Sequence, residues 1–168
     1  MAALLVPDPV VTLRALLEAG WTKANTDERE PNFHTAEDIK VVPGTFKTAA
    51  SASGAPGDDL ILYESAPRQF QRYGINYEHA KRSGQVSVDV RTTVSRAHFG
   101  KMLGELERIV MANRKAPATL TGASETVGPP GYDALELLQG GQDFSSRGAG
   151  FWRAVLEVRL RTYVESIV

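Results

Sequence analysis

The hydrophobic period of this chain switches once from two to about 3.6 residues, and that switch limits the folds open to it. Val86, Val88 and Val90 alternate with Ser87, Asp89 and Arg91. An extended backbone there puts three valines on one face and polar groups on the other. After Thr93, the residues Phe99, Met102, Leu103, Leu106 and Val110 recur at helical spacing, and Lys101, Glu105, Glu107, Arg108 and Lys115 fill the rest of the cylinder. Ser95 stands where a hydroxyl can cap that helix by accepting from an N–H one turn ahead. A half-buried strand running directly into a long amphipathic helix predicts a helix laid across its own sheet. The expected fold class is α+β: a small antiparallel or mixed sheet packed against an N-terminal helix and one long central helix.

The flanking segments supply the rest of the layers. Asp8-Pro9 reads as a helix start, with Asp8 as N-cap and Pro9 at the position where a missing N–H costs nothing; Gly20 reads as its stop. Val10, Leu13, Leu16 and Leu17 give this helix one apolar face. Trp21 to Asp38 is polar and reads as irregular, followed by a brief strand at Ile39, Val41 and Val42 that Pro43-Gly44 ends. Leu60 to Tyr63 is short and apolar, as in a strand covered on both sides, and it is expected to end before Pro67. Ala134 to Leu138 is read as a strand, with one or two helical turns as the alternative. Trp152 to Arg161 alternates strictly and predicts a long antiparallel strand with a charged outer face. Loops are expected near 43–57 and 116–131, where Ala, Ser, Gly, Pro and Thr leave too little apolar surface to offset ordering.

A chain of 168 residues suits one domain spanning 1–168. Its formal net charge of −1 argues against a dedicated nucleic-acid binder, although local basic patches fit within that balance. The absence of cysteine removes disulfides and thiolate metal sites and suits a reducing cytoplasm. The first residues, Met1 to Pro7, carry no basic n-region and are too few for a membrane span, so a soluble, unprocessed protein is expected.

Chemical motifs are missing from the sequence. It has no phosphate-binding Gly-x4-Gly-Lys loop, no His-Glu-x-x-His pair and no Gly-x-Ser-x-Gly elbow. Gly148 and Gly150 precede a strand and read as turn glycines. His34, His79 and His98 lack ligand spacing, and His98 reads as an exposed polar residue in the first helical turn. Asp58-Asp59 and the pair Asp89 and Glu157 are the candidate acid–base carboxylates. The last two fall on polar strand faces beside Arg91 and Arg159, where cross-strand ion pairs are ordinary. Trp21 and Trp152 read as core or interface anchors. No catalytic, cofactor or metal residue is therefore assigned, and no enzymatic activity is expected. One segment stands out as a surface: Arg68, Arg72, Lys81 and Arg82 interleave with Phe70, Tyr73 and Tyr77. It reads as a long turn or the splayed end of a hairpin. It is either a solvated connector or a face that meets a polyanion or acidic partner.

The order of elements resembles the tail terminator, or tail completion, family of tailed bacteriophages and related viruses. The blocks that carry the resemblance are Leu60 to Tyr63, Tyr77 to Gly84, Val86 to Thr93 with its helix, Tyr132 to Leu135, and Trp152 to Tyr163, about two thirds of the chain. The long segments Thr48 to Gly57 and Ala116 to Gly131 depart from it. The resemblance implies a small α+β subunit of a homo-hexameric ring that caps the tail tube protein, ends tube polymerisation and meets a head-completion or neck protein. Such a ring belongs to the virion, at the head–tail interface, is assembled in the host cytoplasm, and lets DNA pass its lumen without sequence recognition. On this reading Arg68, Arg72, Tyr73, Tyr77, Lys81, Arg82, Arg153, Arg159 and Arg161 are the candidate interface residues, with solvated sheet faces the alternative for them. No membrane partner is implied. Another head–tail connector or a tail-tube subunit would share these features, and a small metal-dependent enzyme is the remaining class.

Overall fold

In the computed structural model, the described residues are 8–35, 57–73, 79–114, 132, 134–143 and 150–164. Helix α1, Pro9–Gly20, starts as its sequence predicts: the Asp8 carboxylate accepts from the N–H groups of Val10 at 2.8 Å and Val11 at 3.4 Å. Leu13, Leu16 and Leu17 are buried along one face. The helix does end at Gly20, but for a steric reason. A Cβ at Gly20 would stand 3.2 Å from Ile109 Cγ2, so glycine is what lets the end of α1 approach the central helix.

The stretch after α1 is more ordered than its polarity predicts. A short 3-10 helix, Lys23–Thr26, leads to strand β1, Asn32–Thr35. Phe33 meets the Trp21 ring edge-on at 5.8 Å, and β1 lies parallel to the start of β2, Phe33 opposite Leu60. Four residues of Asn-Phe-His-Thr hold no period of their own; their extended form is imposed by that pairing. The Ile39 to Val42 strand lies outside the described residues, as do the 43–57 loop except for Gly57 and the whole of 116–131.

Strand β2, Asp58–Tyr73, does not stop before Pro67. Against strand β3, His79–Thr92, it gains one residue between Glu64 and Ala66 and another between Ala66 and Gln69. Pro67 sits inside this bulged stretch, where a missing N–H removes no regular ladder bond. Two insertions reverse the facing twice, so Phe70 returns to the face that holds Leu60 and Leu62. Of the two readings of Arg68 to Gly84, a long turn or the end of a hairpin, the described part is paired hairpin strand, and residues 67–72 of it are exposed.

Helix α2, Arg96–Ala112, follows β3 directly, with Ser95 Oγ accepting from His98 N–H at 3.1 Å. Phe99, Met102, Leu106 and Val110 are buried as their spacing predicts, and Ile109 joins them. Two polar expectations fail: His98 is 1% exposed and Glu105 3%, because each has polar partners waiting inside the fold. Strand β4, Ala134–Asp143, resolves the ambiguous Leu-rich run in favour of a strand and passes through Gly140-Gly141. Strand β5, Trp152–Val164, leaves the left-handed turn at Gly150 (φ 63°).

The sheet order is β1-β2-β3-β5-β4, with β1 parallel to β2 and the remaining neighbours antiparallel. Its valine and leucine face, Val86, Val88 and Val90 with Leu156, Val158 and Leu160, packs with both helices into one core, against which Trp21 and Trp152 are half-buried. The architecture is α+β with a mixed sheet. No helix among the described residues is long and apolar enough to cross a membrane.

Candidate assembly interface

Gly84 marks a boundary along the sheet. A Cβ there would fall 2.7 Å from Pro9 Cγ and 2.8 Å from Pro9 Cβ, so the first turn of α1 rests directly on the β3 backbone. Past it, residues 69–73 of β2, 79–83 of β3 and 161–164 of β5 continue as a three-stranded arm, with Ala134 of β4 opposite Arg161 at its base and Arg159 just short of it, opposite Gln85. These strand ends hold Arg72, Lys81, Arg82 and Arg161 and no Asp or Glu, while Arg159 at the base stands opposite Glu136 of β4. An arm so composed is cationic in a chain that is nearly neutral overall.

Its two faces differ. On the face shared with the core, Phe70 is 48% exposed, and the guanidinium carbons of Arg72 and Arg82 lie 5.8 and 5.2 Å from its ring centroid. Such stacking holds two flexible cations beside an apolar ring, a combination suited to protein contact surfaces. On the opposite face, turned away from α1 and α2, Gln69, Gln71, Lys81, Ser83, Arg159 and Arg161 line a shallow concavity of about 120 Å³. Glu136 of β4 reaches Arg161 at 3.0 Å and Arg159 at 3.8 Å.

Of the nine candidate interface residues, Arg72, Tyr73, Lys81, Arg82 and Arg161 lie along the arm and Arg159 at its base. Tyr73 ends β2 opposite His79, and Tyr77 lies outside the described residues. Arg68 and Arg153 have other work. Arg68 donates to Glu64 through Nε at 2.8 Å and Nη2 at 2.5 Å, with Asp8 3.4 Å away, and so braces the bulged strand against the cap of α1. Its bond to Glu64 raises its pKa. Arg153 donates to buried Asp89 at 2.8 to 3.1 Å, and Arg91 reaches the same carboxylate at 2.7 Å. The ion pair expected for Asp89 is present. Glu157 instead accepts from Gln85 and from Ser87, the latter at 3.2 Å. Phe70, Gln69, Gln71 and Ser83 were not assigned from sequence; the alternation Gln69, Phe70, Gln71, Arg72 is the signal that the strand continues past Pro67.

The candidate acid–base carboxylates separate. Asp58 turns inward to His98 Nε2 at 2.8 Å and also accepts from Arg29 Nε and from the Thr92 hydroxyl, while Asp59 meets His34 Nε2 at 2.9 Å. Successive strand residues face opposite sides, so the two cannot work as a dyad. Among the described residues no group of three His, Asp or Glu side chains is arranged to hold a metal ion. A groove of about 420 Å³ lies between α1 and β2, walled by Val10, Val11, Leu62 and Tyr63 with Asp8 and Glu64 at its edge.

No protein-family model matches the chain, and no curated protein does. Among solved structures, a chain of the virion of a native gene transfer agent particle matches with a TM-score of 0.51 at 14% identity, covering 93% of this chain and 95% of that one. At that identity the likeness is one of fold.

Proposed function

We propose that this chain is a structural subunit of a phage-like virion whose copies close into a hexameric ring at the end of the tail tube. The observation that carries the reading is the fold shared with a virion chain over nearly the full length of both. The tail-terminator order of elements read from the sequence supports the finer assignment. The ring blocks the surface on which the next tube subunit would stack, and its other side meets the head-completion or neck protein. Capping of this kind is binding alone, with no bond made or broken.

A closing ring needs two unlike patches on each copy. The arm with exposed Phe70 between two arginines supplies one, and the helix layer, where Val11 of α1 and Met111 of α2 are about half exposed, offers another. DNA passes the ring without base readout, steered by charge. The test is electron microscopy and light scattering of the purified chain, repeated with Arg72→Glu and Lys81→Glu combined. The expected result is a six-membered ring that the double reversal disperses. Tubes in place of rings would make the chain a tube subunit, and a monomer at all concentrations would reject the assignment.

A further inference from the structure

The described residues lining the concavity, on the face of the arm turned away from α1 and α2, are almost all hydrogen-bond donors. Gln69 pairs with Ser83 across β2 and β3, and Ser83 with Arg161 across β3 and β5, so these three form one row over three strands. Gln71 and Lys81 pair in the next row towards the tip, and Arg159 precedes Arg161 by one same-face step along β5. Neighbouring strands stand ~4.8 Å apart and same-face residues ~6.7 Å apart along a strand, so the side chains surround a single small space. Its volume of about 120 Å³ has room for one tetrahedral oxyanion.

The chemistry of the lining selects among anions. Lys81, Arg159 and Arg161 are cations that can only donate, and the amides of Gln69 and Gln71 and the hydroxyl of Ser83 add donors from other directions. Glu136, which does not line the space, occupies part of two guanidinium groups, each of which has five N–H donors to share. Among the described residues, three cations stand against one carboxylate there. A planar carboxylate is satisfied by one guanidinium fork, whereas a phosphate has oxygens for donors on several sides. Among the described residues that line the space, none is aromatic.

We propose that this concavity is a phosphate-binding site that takes the phosphodiester groups of a nucleic-acid backbone, irrespective of sequence. The inference deepens the proposed function, on whose DNA-filled lumen it rests for the source of the phosphate. It assigns Gln69, Gln71 and Ser83, together with Lys81, Arg159 and Arg161, to direct contact with that backbone.

The test is anisotropy of a labelled random-sequence duplex titrated with the full chain at several salt concentrations. Lys81→Gln with Arg161→Gln is expected to weaken binding at least tenfold and to reduce the salt slope by about 1 to 2, since each lost phosphate contact removes ~0.9. Lys23→Gln with Arg96→Gln, an equal charge loss on the far elements, is expected to change affinity less than threefold. Gln71→Glu, which keeps every cation, is the second variant and should also weaken binding. Inorganic phosphate should compete better than chloride at equal ionic strength, and two unrelated duplex sequences should bind alike. Unchanged binding by both site variants overturns the proposal. Binding of free phosphate without binding of the duplex overturns the nucleic-acid source, and displacement by a poly-glutamate peptide at phosphate-like concentration overturns phosphate selectivity. Light scattering on the same samples separates the two readings: a wild-type chain that binds DNA without forming a ring sinks the ring alone.

Discussion

His98 Nε2 lies 2.8 Å from Asp58 Oδ2, a contact between two side chains that are each almost fully buried. The other ring nitrogen, Nδ1, is 2.9 Å from Asp27 Oδ2. Arg29 and Thr92 donate to Asp58 at 2.9 and 2.7 Å, and Lys101 pairs with Asp27. Asp27 takes the left-handed conformation (φ 54°) that ends the 3-10 helix, and the bonds from Lys101 and His98 lower its pKa. The cluster ties the start of α2 to the start of β2, the end of β3 and the segment after α1.

His98→Phe keeps a ring in that space and removes both ring nitrogens. The expected loss is about 2 to 4 kcal/mol, the range for a buried charge deprived of a partner. Urea unfolding checks it, and Asp27→Asn, at the exposed rim, should cost less. An unshifted midpoint for His98→Phe would show that the contact contributes nothing.

Glu105 predicts an acid response. Its carboxylate accepts from Thr22 N–H and Asn25 Nδ2, both at 2.8 Å, and from Arg108 Nη2 at 2.6 Å. The Arg108 guanidinium, aided by these donors, brings its pKa down to about 2 from an ordinary 4.5. A lowered folded-state pKa favours the folded form while the carboxylate is ionised. The contribution is therefore complete above pH 4.5 and is lost as the pH falls towards 2. Glu105→Gln should cost about 3 kcal/mol at neutral pH and flatten the stability profile between pH 5 and 2; an equally steep profile in the variant would refute the assignment.

The glycines divide by what surrounds them. Gly84→Ala drives a methyl into Pro9 and should cost about 1 to 3 kcal/mol, as overpacking does, with Pro9→Ala in the same chain recovering part of it. Gly100 and Gly104 lie exposed in α2, and a methyl added at either would meet nothing within 4 Å, so alanine at each should add about 0.5 to 1 kcal/mol. Thermal melts of the three variants test the contrast, and a stabilised Gly84→Ala would overturn the account of how α1 docks.

Phe70→Ser should leave the melting temperature nearly unchanged, because a half-exposed ring on the arm adds at most about 0.5 kcal/mol to the fold. If the arm is an assembly surface, the same change should weaken self-association at least tenfold, as loss of an aromatic anchor does. Sedimentation at several concentrations reads this directly; a variant that assembles like the unaltered chain removes Phe70 from the interface.

Local pattern alone determined the elements with an unmistakable period. The valine alternation of β3, the apolar stripe of α2, the caps Asp8 and Ser95 and the long alternation of β5 follow from side-chain spacing and hydrogen-bond geometry within a few residues. The tertiary structure decided what depends on partners distant in the chain. It extended β2 through Pro67, since bulges and a neighbouring strand tolerate a missing N–H that a local reading takes as a stop. It made a strand of Asn32–Thr35, drew His98 and Glu105 inward to partners 40 and 80 residues or more away, and set Gln69, Ser83 and Arg161 side by side. Burial of a polar side chain becomes favourable only when such partners exist, and nothing within one turn of sequence reports them.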